Sequence, residues 1–190
     1  MISSYLRAAR DAYVELAETP GYLPLFEAMA GELCSLFDAD GKVLFAGNGG
    51  SAADCQHMAG EFVVRFRTDR QALPAIALTV DTSVLTACLN DYGAQFVFSR
   101  QVEALGRPGD VFWAYSTSGN SENILVACEA ARSRGMKIFG FTSRGGGRLA
   151  ELCDYCFRAP SDITSHVQEC HAAVGHLLCH VVEQHFVAKR

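Results

Sequence analysis

Lys42-Val43-Leu44-Phe45-Ala46-Gly47-Asn48-Gly49-Gly50-Ser51-Ala52-Ala53-Asp54-Cys55-Gln56-His57-Met58-Ala59-Gly60-Glu61 is the stretch on which the reading of the chain turns. The apolar run to Ala46 predicts a buried strand, the glycines a tight turn, and the remainder a helix on which His57 and Glu61 stand one turn apart. Gly47, Gly49 and Gly50 allow a ligand to approach the backbone, and Ser51 is placed to cap the helix. Free N–H groups at a helix start suit a phosphate or a polar sugar. No lysine follows the glycines, which excludes a Walker A loop. Gly47, Gly49 and Ala52 fit a dinucleotide-binding spacing. The acidic partner expected ~20 residues later is replaced by Phe66-Arg67-Thr68-Asp69-Arg70, a basic cluster with one acid. Taken alone, the loop also fits a tight turn with no ligand.

Outward from this stretch, short apolar runs alternate with helical patterns. Pro74-Ala75-Ile76-Ala77-Leu78 reads as a second short buried strand, and Asp81-Thr82-Ser83 as a helix start before Asn90-Asp91-Tyr92-Gly93 breaks the pattern. Asp110-Val111-Phe112-Trp113-Ala114-Tyr115 is a third strand, running into Ser116-Thr117-Ser118-Gly119-Asn120-Ser121-Glu122 and a helix to Arg134. Four hydroxyls and a glycine between a strand and a helix can surround an anion with donors, although Ser118 and Ser121 also fit plain helix caps. Lys137 to Thr142 is a fourth strand, leading into Ser143-Arg144-Gly145-Gly146-Gly147, and Tyr155 to Arg158 is a fifth. Such alternation predicts a parallel sheet covered on both faces, with ligands at the carboxyl ends of its strands.

Ahead of the sheet, residues 3–18 and the series Leu25, Phe26, Met29, Leu33, Leu36, Phe37 read as two amphipathic helices. Their apolar stripes fit either subunit packing or an intramolecular cover of the sheet. A last helix starts near Ile163-Thr164, with Val167, Cys170, Val174, Leu177, Val181 and Val182 as its core stripe and Gln168, Ala172 and His176 on another face. Eight residues rise ~12 Å, so Gln168 and His176 are not immediate neighbours. Taken alone, His176 reads as a core or surface histidine and His57 with Glu61 as a surface pair.

A chain of 190 residues with 49% hydrophobic composition and five prolines predicts one globular domain over residues 1–190. A formal net charge of −5 argues against a nucleic-acid surface. Arg65, Arg67 and Arg70 read either as a solvated face or as an anion site. Residues 1–7 lack the apolar core of a signal peptide and no run is long enough for a membrane span, which predicts a cytoplasmic protein. Eight scattered cysteines read as small buried hydrophobes in a reducing compartment. Cys153 and Cys156 form a single C-x-x-C pair with no second pair at zinc-ribbon spacing.

Gly47 to Asp54, Pro74 to Leu78, Asn90-Asp91, Ser116 to Ser121 and Val167-Gln168-Glu169-Cys170-His171 occur in one order. Together they resemble the sugar isomerase (SIS) domain family, and within it the phosphoheptose isomerases that act on sedoheptulose 7-phosphate. The likeness covers nearly the whole chain. It implies an α/β, flavodoxin-like doubly wound parallel sheet with N-terminal helices over residues 1–38 for subunit packing, and a homotetramer with sites shared between subunits. It further implies an aldose-ketose isomerase moving protons between C1 and C2, with Glu61 and His176 as the acid/base pair. Asn48, Gly49, Gly50 and Ser51 match the family's first substrate loop, Asn90 and Asp91 its sugar contacts, and Ser116, Thr117, Ser118 and Ser121 its phosphate loop. Glu61, Arg65 and Gln168 match further substrate contacts, and His57, Glu61, Gln168 and His176 a zinc site. His166 and Ser165 depart from the pattern, which usually has arginine and proline there, and this bears on which sugar is taken. The alternative is a non-catalytic SIS-domain binding protein of the replication initiator-associating type, which need not keep an acid/base pair.

Overall fold

The structure, a computed structural model, describes residues 1–189. In chain order the elements are α1 (Ile2–Glu18), α2 (Tyr22–Asp38), β1 (Val43–Ala46), α3 (Gly50–Val63), β2 (Ala75–Ala77), α4 (Thr82–Asp91), α5 (Ser99–Leu105), β3 (Val111–Tyr115), α6 (Glu122–Ser133), β4 (Lys137–Thr142), α7 (Leu149–Leu152), β5 (Tyr155–Arg158) and α8 (Thr164–Val187), with a 3-10 turn at Ala94–Phe96. All strand pairs are parallel, in the order β2-β1-β3-β4-β5. The doubly wound sheet expected from the alternation is therefore present.

Period-two geometry sends alternate residues of each run into different helix layers. Val43, Phe45, Val111, Trp113, Tyr115, Phe139 and Phe141 pack into the layer of α2, α3 and α8. Leu44, Ala46, Phe112, Ala114 and Ile138 pack on the other side with α5, α6 and α7. Both faces being dry explains why β1 and β3 read as unbroken apolar runs. The edge strand β2 is only half as expected. Ala75 and Ala77 are buried, but Ile76 is 37% exposed. It faces a groove of about 610 Å³ shared with Val80, Val84, Tyr92 and Leu105.

The two leading helices differ in what they cover. Phe26, Met29, Leu33 and Phe37 of α2 are buried, with the Phe26 ring 5.4 Å from Phe157. On α1 only Ala12 is buried, and Tyr5, Leu6, Tyr13 and Val14 are exposed. α2 is thus an intramolecular cover, whereas α1 is attached at its edge by Tyr13 Oη donating to the Glu169 carbonyl at 3.1 Å and by an Arg144–Glu15 ion pair at 2.6 Å.

The core stripe of α8 corrects one expectation. Val167, Cys170, Val174 and Val182 point inward, but Leu177 and Val181 are each 41% exposed. Leu178, Cys179, His171 and Glu183 take the inner face instead. Leu177 and Val181 stand one step around the helix, on a groove beside Leu23 and Ala30.

Candidate active site

Chain order reverses direction across the sheet between β1 and β3, the crevice where doubly wound sheets bind ligands. Both loops expected from the sequence to meet a ligand leave these two neighbouring strands. In the first, Gly49 has φ +58° and is the residue before α3. Ser51 is not the cap. It lies buried inside the first turn, and the helix start carries no side-chain cap. Asn48 joins the loops, since its amide and that of Asn123 on α6 exchange hydrogen bonds of 3.0 and 2.9 Å.

The second loop is braced from inside and from below. Ser116 Oγ and Ser121 Oγ are 2.9 Å apart. Ser118 Oγ accepts from the Asn120 N–H at 3.1 Å. Ser121 is the residue before α6 but its side chain makes no capping bond, so the capping explanation does not account for it. Gly119, at φ +67°, sits on the glycine loop after β4, where a Cβ would stand 2.0 Å from the Gly146 carbonyl oxygen. Gly147 answers it from the other side, its would-be Cβ 2.6 Å from the Ser118 carbonyl oxygen.

Along α3, His57 and Glu61 follow Gly50 by roughly 10 and 16 Å of helix rise. His57 Nε2 is 3.2 Å from Glu61 Oε1 and 3.3 Å from His176 Nε2 of α8. One ligand atom from each residue lies within 4.8 Å of the others. Two imidazole nitrogens and a carboxylate oxygen form a donor set suited to zinc, whose tetrahedral ligands at ~2.0–2.1 Å stand a little over 3 Å apart. The residues present therefore fit such an ion. Phe66 stacks on His176 with ring centres 5.5 Å apart and planes at 28°. Desolvation, with the nearby His57, pushes the His176 pKa down against the pull of Glu61. Burial raises the Asp54 carboxyl, opposed by His57.

Gln168 reaches the first loop, since a Cβ on Gly50 would stand 2.6 Å from its Nε2. Asn90 and Asp91 end α4, exposed and hydrogen-bonded to each other at 2.8 Å, with Asp91 on the rim of the groove beside β2. No hydrogen bond joins either to the two loops among those of the described residues. Arg65 is exposed just past α3, donating to the Arg67 carbonyl at 3.3 Å. The arginine cluster divides: Arg70 is buried and donates to the carbonyls of Phe62 at 2.6 Å and Glu61 at 2.7 Å, closing the end of α3.

Sequence reading missed Asn123, Phe66, the role of Gly146 and Gly147 as a brace, and Glu183. Only Glu183 left a usable signal: it stands four residues after Cys179 and three before Phe186, a charge on the inner stripe of α8.

The SIS domain family profile matches residues 5–143. A phosphoheptose isomerase from Rhodospirillum rubrum is 50% identical over 182 residues, covering 96% of this chain and 95% of that protein. One from Akkermansia muciniphila is 48% identical, covering 96% of this chain and 97% of that protein. The solved structure of a phosphoheptose isomerase from Francisella tularensis superposes with a TM-score of 0.91 at 38% identity, covering 96% of each chain. With a glycine loop and a hydroxyl loop at the switch point, a His-Glu-His cluster on the neighbouring helices and likeness of this extent, the chain belongs to the SIS domain family and, within it, to the phosphoheptose isomerases.

Proposed function

We propose that the chain converts sedoheptulose 7-phosphate to D-glycero-D-manno-heptose 7-phosphate, or isomerises a close phosphosugar, with Glu61 and His176 as the acid/base pair. The observation that carries this is the convergence of Glu61 and His176 on His57, alongside a loop in which the Ser116 and Ser121 hydroxyls lie 2.9 Å apart. A ketose becomes an aldose when a proton leaves C1 and one arrives at C2, the C2 carbonyl oxygen gains a proton, and the C1 hydroxyl loses one. An enediol lies between, and the route needs one base and one acid. Ser116, Thr117, Ser118 and Ser121 hold the phosphate. Asn48, Gly49, Gly50, Ser51, Arg65, Asn90, Asp91 and Gln168 orient the sugar.

His57, Glu61 and His176, whose ligand atoms converge, are the residues that would hold zinc, with Gln168, whose amide lies beside Gly50, as the fourth ligand that the resemblance implies. An ion held by these residues would supply polarisation of the sugar's carbonyl and hydroxyl oxygens. Glu61 and His176 are then shared between the ion and proton transfer, so metal content is expected to modulate the rate.

The reading includes a homotetramer with shared sites and a cytoplasmic place of action. Exposed Tyr5, Leu6 and Tyr13 on α1 and the 610 Å³ apolar groove beside β2 support subunit packing. No helix among the described residues is long and apolar enough to cross a membrane. The non-catalytic alternative is not favoured, because the chain keeps both members of the acid/base pair and its relatives are isomerases. Turnover of sedoheptulose 7-phosphate, followed by NMR with zinc added or chelated, tests the proposal. Heptose 7-phosphate is the expected product. No product under any metal condition contradicts the assigned substrate.

A further inference from the structure

Glu183 is fully buried yet carries a carboxylate, an expensive group to remove from water unless its oxygens are matched. Both oxygens are matched by one short segment. They accept from the N–H groups of Phe66 at 2.8 Å, Arg67 at 2.9 Å and Thr68 at 2.8 Å. Burial alone would raise the Glu183 carboxyl, but these three donors and the nearby Arg70 outweigh it and hold it below the usual range.

The segment so held leads away from the site. It leaves α3 just beyond Glu61, and Arg70 at its far end ties back to the carbonyl of Glu61 itself. Phe66 opens the first tie, and its ring lies on His176 at 5.5 Å and meets His180 at 6.4 Å. On α8, His176, His180 and Glu183 follow one another at helical spacing, so Phe66 is laid along a single stripe by the carboxylate at the stripe's lower end. A loop after a helix needs only neutral caps to satisfy its backbone.

We propose that Glu183 is a positioning residue for the isomerisation: by gripping the backbone of residues 66–68 it holds the Phe66 ring against the His176 imidazole and keeps His176 Nε2 turned toward His57 and Glu61. The proposal rests on the acid/base reading of Glu61 and His176. It assigns the buried carboxylate no contact with substrate.

The test uses the full chain as wild type, Glu183→Gln, Phe66→Leu and His176→Asn. For each, kcat and KM are measured with sedoheptulose 7-phosphate. In chelator-treated protein the His176 ring-proton shift is read by NMR, because a stacked phenyl ring shields it. Glu183→Gln retains the side-chain length but replaces one accepting oxygen by a donor. Phe66→Leu leaves all three N–H bonds to Glu183 in place and removes only the ring.

Both variants are expected to lose the shielding and to lower kcat about tenfold with KM within about twofold, the signature of a misdirected reacting group rather than lost binding. Loss of shielding with kcat unchanged overturns the proposal, as does unaltered shielding in folded Glu183→Gln. If Glu183→Gln does not fold, Glu183→Asp, which keeps the charge but shortens its reach to the N–H groups of residues 66–68, takes its place for both readouts, and unaltered shielding or an unaltered kcat in that variant overturns the proposal. Wild-type turnover by His176→Asn would instead be a failure of the acid/base reading, distinguishable because the shielding in Glu183→Gln, where the Phe66 ring is still present, reports on the grip independently.

Discussion

The hydroxyl loop after β3 and the His57, Glu61, His176 cluster lie near the same sheet edge but are held in place by opposite means. The loop is a backbone structure. Its hydroxyls bond to one another and to its own N–H groups, and it rests on Gly146 and Gly147 with no room for a side chain between. The cluster is a side-chain structure. Its three groups project from the regular helices α3 and α8 and touch only at their tips, 3.2 and 3.3 Å apart. Shape at the loop therefore resides in glycines, and on the proposed reading the chemistry resides in residue identity at the cluster. Damage to the first should appear mainly in KM, and damage to the second in kcat.

The largest break in this division is expected from His176→Asn, which leaves α8 intact and removes a titrating group. It should lower kcat by at least ~10²-fold while KM changes only a few-fold, measured by initial rates with sedoheptulose 7-phosphate. A comparable rise in KM alone would place His176 with the binding residues instead.

Gly119→Ala is next. The added carbon meets the Gly146 carbonyl oxygen at 2.0 Å in a backbone at φ +67°, so the loop must move. Strain of this kind costs roughly 1–3 kcal/mol. The expected result is about a tenfold rise in KM with a smaller change in kcat, together with a lowered Tm. An unchanged KM would mean that the loop's shape does not govern phosphate binding.

The smallest effect on activity concerns what lies beneath both regions. His171 is buried among Tyr115, Phe141 and Phe157, with Nε2 3.1 Å from the Thr142 carbonyl oxygen. Burial pushes its pKa from 6.5 down to about 4, against the opposing pull of that carbonyl. The unfolded chain therefore binds a proton that the folded chain refuses. Stability from this group is complete above the unfolded value and is lost as pH falls toward the folded one, on the order of 3 kcal/mol across the window. Urea unfolding between pH 4 and 7 should show this slope in wild type and a flatter one in His171→Phe. Equal slopes would assign the acid sensitivity to other groups.

Much of this architecture was legible in the chain. Strands β1, β3 and β4 are buried on both faces, so each is a continuous apolar run, and the loops that follow advertise themselves through glycines and hydroxyls. Asp81 was readable as a helix start and does accept from the Val84 N–H at 3.0 Å. The groups that proved opaque owe their roles to tertiary neighbours. Arg70 looks like Arg65 and Arg67 in sequence, yet only it folds back under α3. Ser51 has the right residue type for a cap but lies two positions beyond Gly49, inside the helix. Gly146 and Gly147 announce a turn without announcing that another loop rests on them. Leu177 and Val181 are apolar without being core, because α8 presents a neighbouring stripe to the sheet.

The most direct measurement is the kcat and KM of Glu61→Gln beside wild type on sedoheptulose 7-phosphate, each with zinc added and with zinc chelated. The substitution keeps the shape of a side chain that lies 3.2 Å from His57 and removes its capacity to carry a proton. The account predicts that kcat falls at least ~10²-fold under both metal conditions while KM stays within a few-fold of wild type. Near-normal kcat in Glu61→Gln would contradict it and place the proton transfer elsewhere.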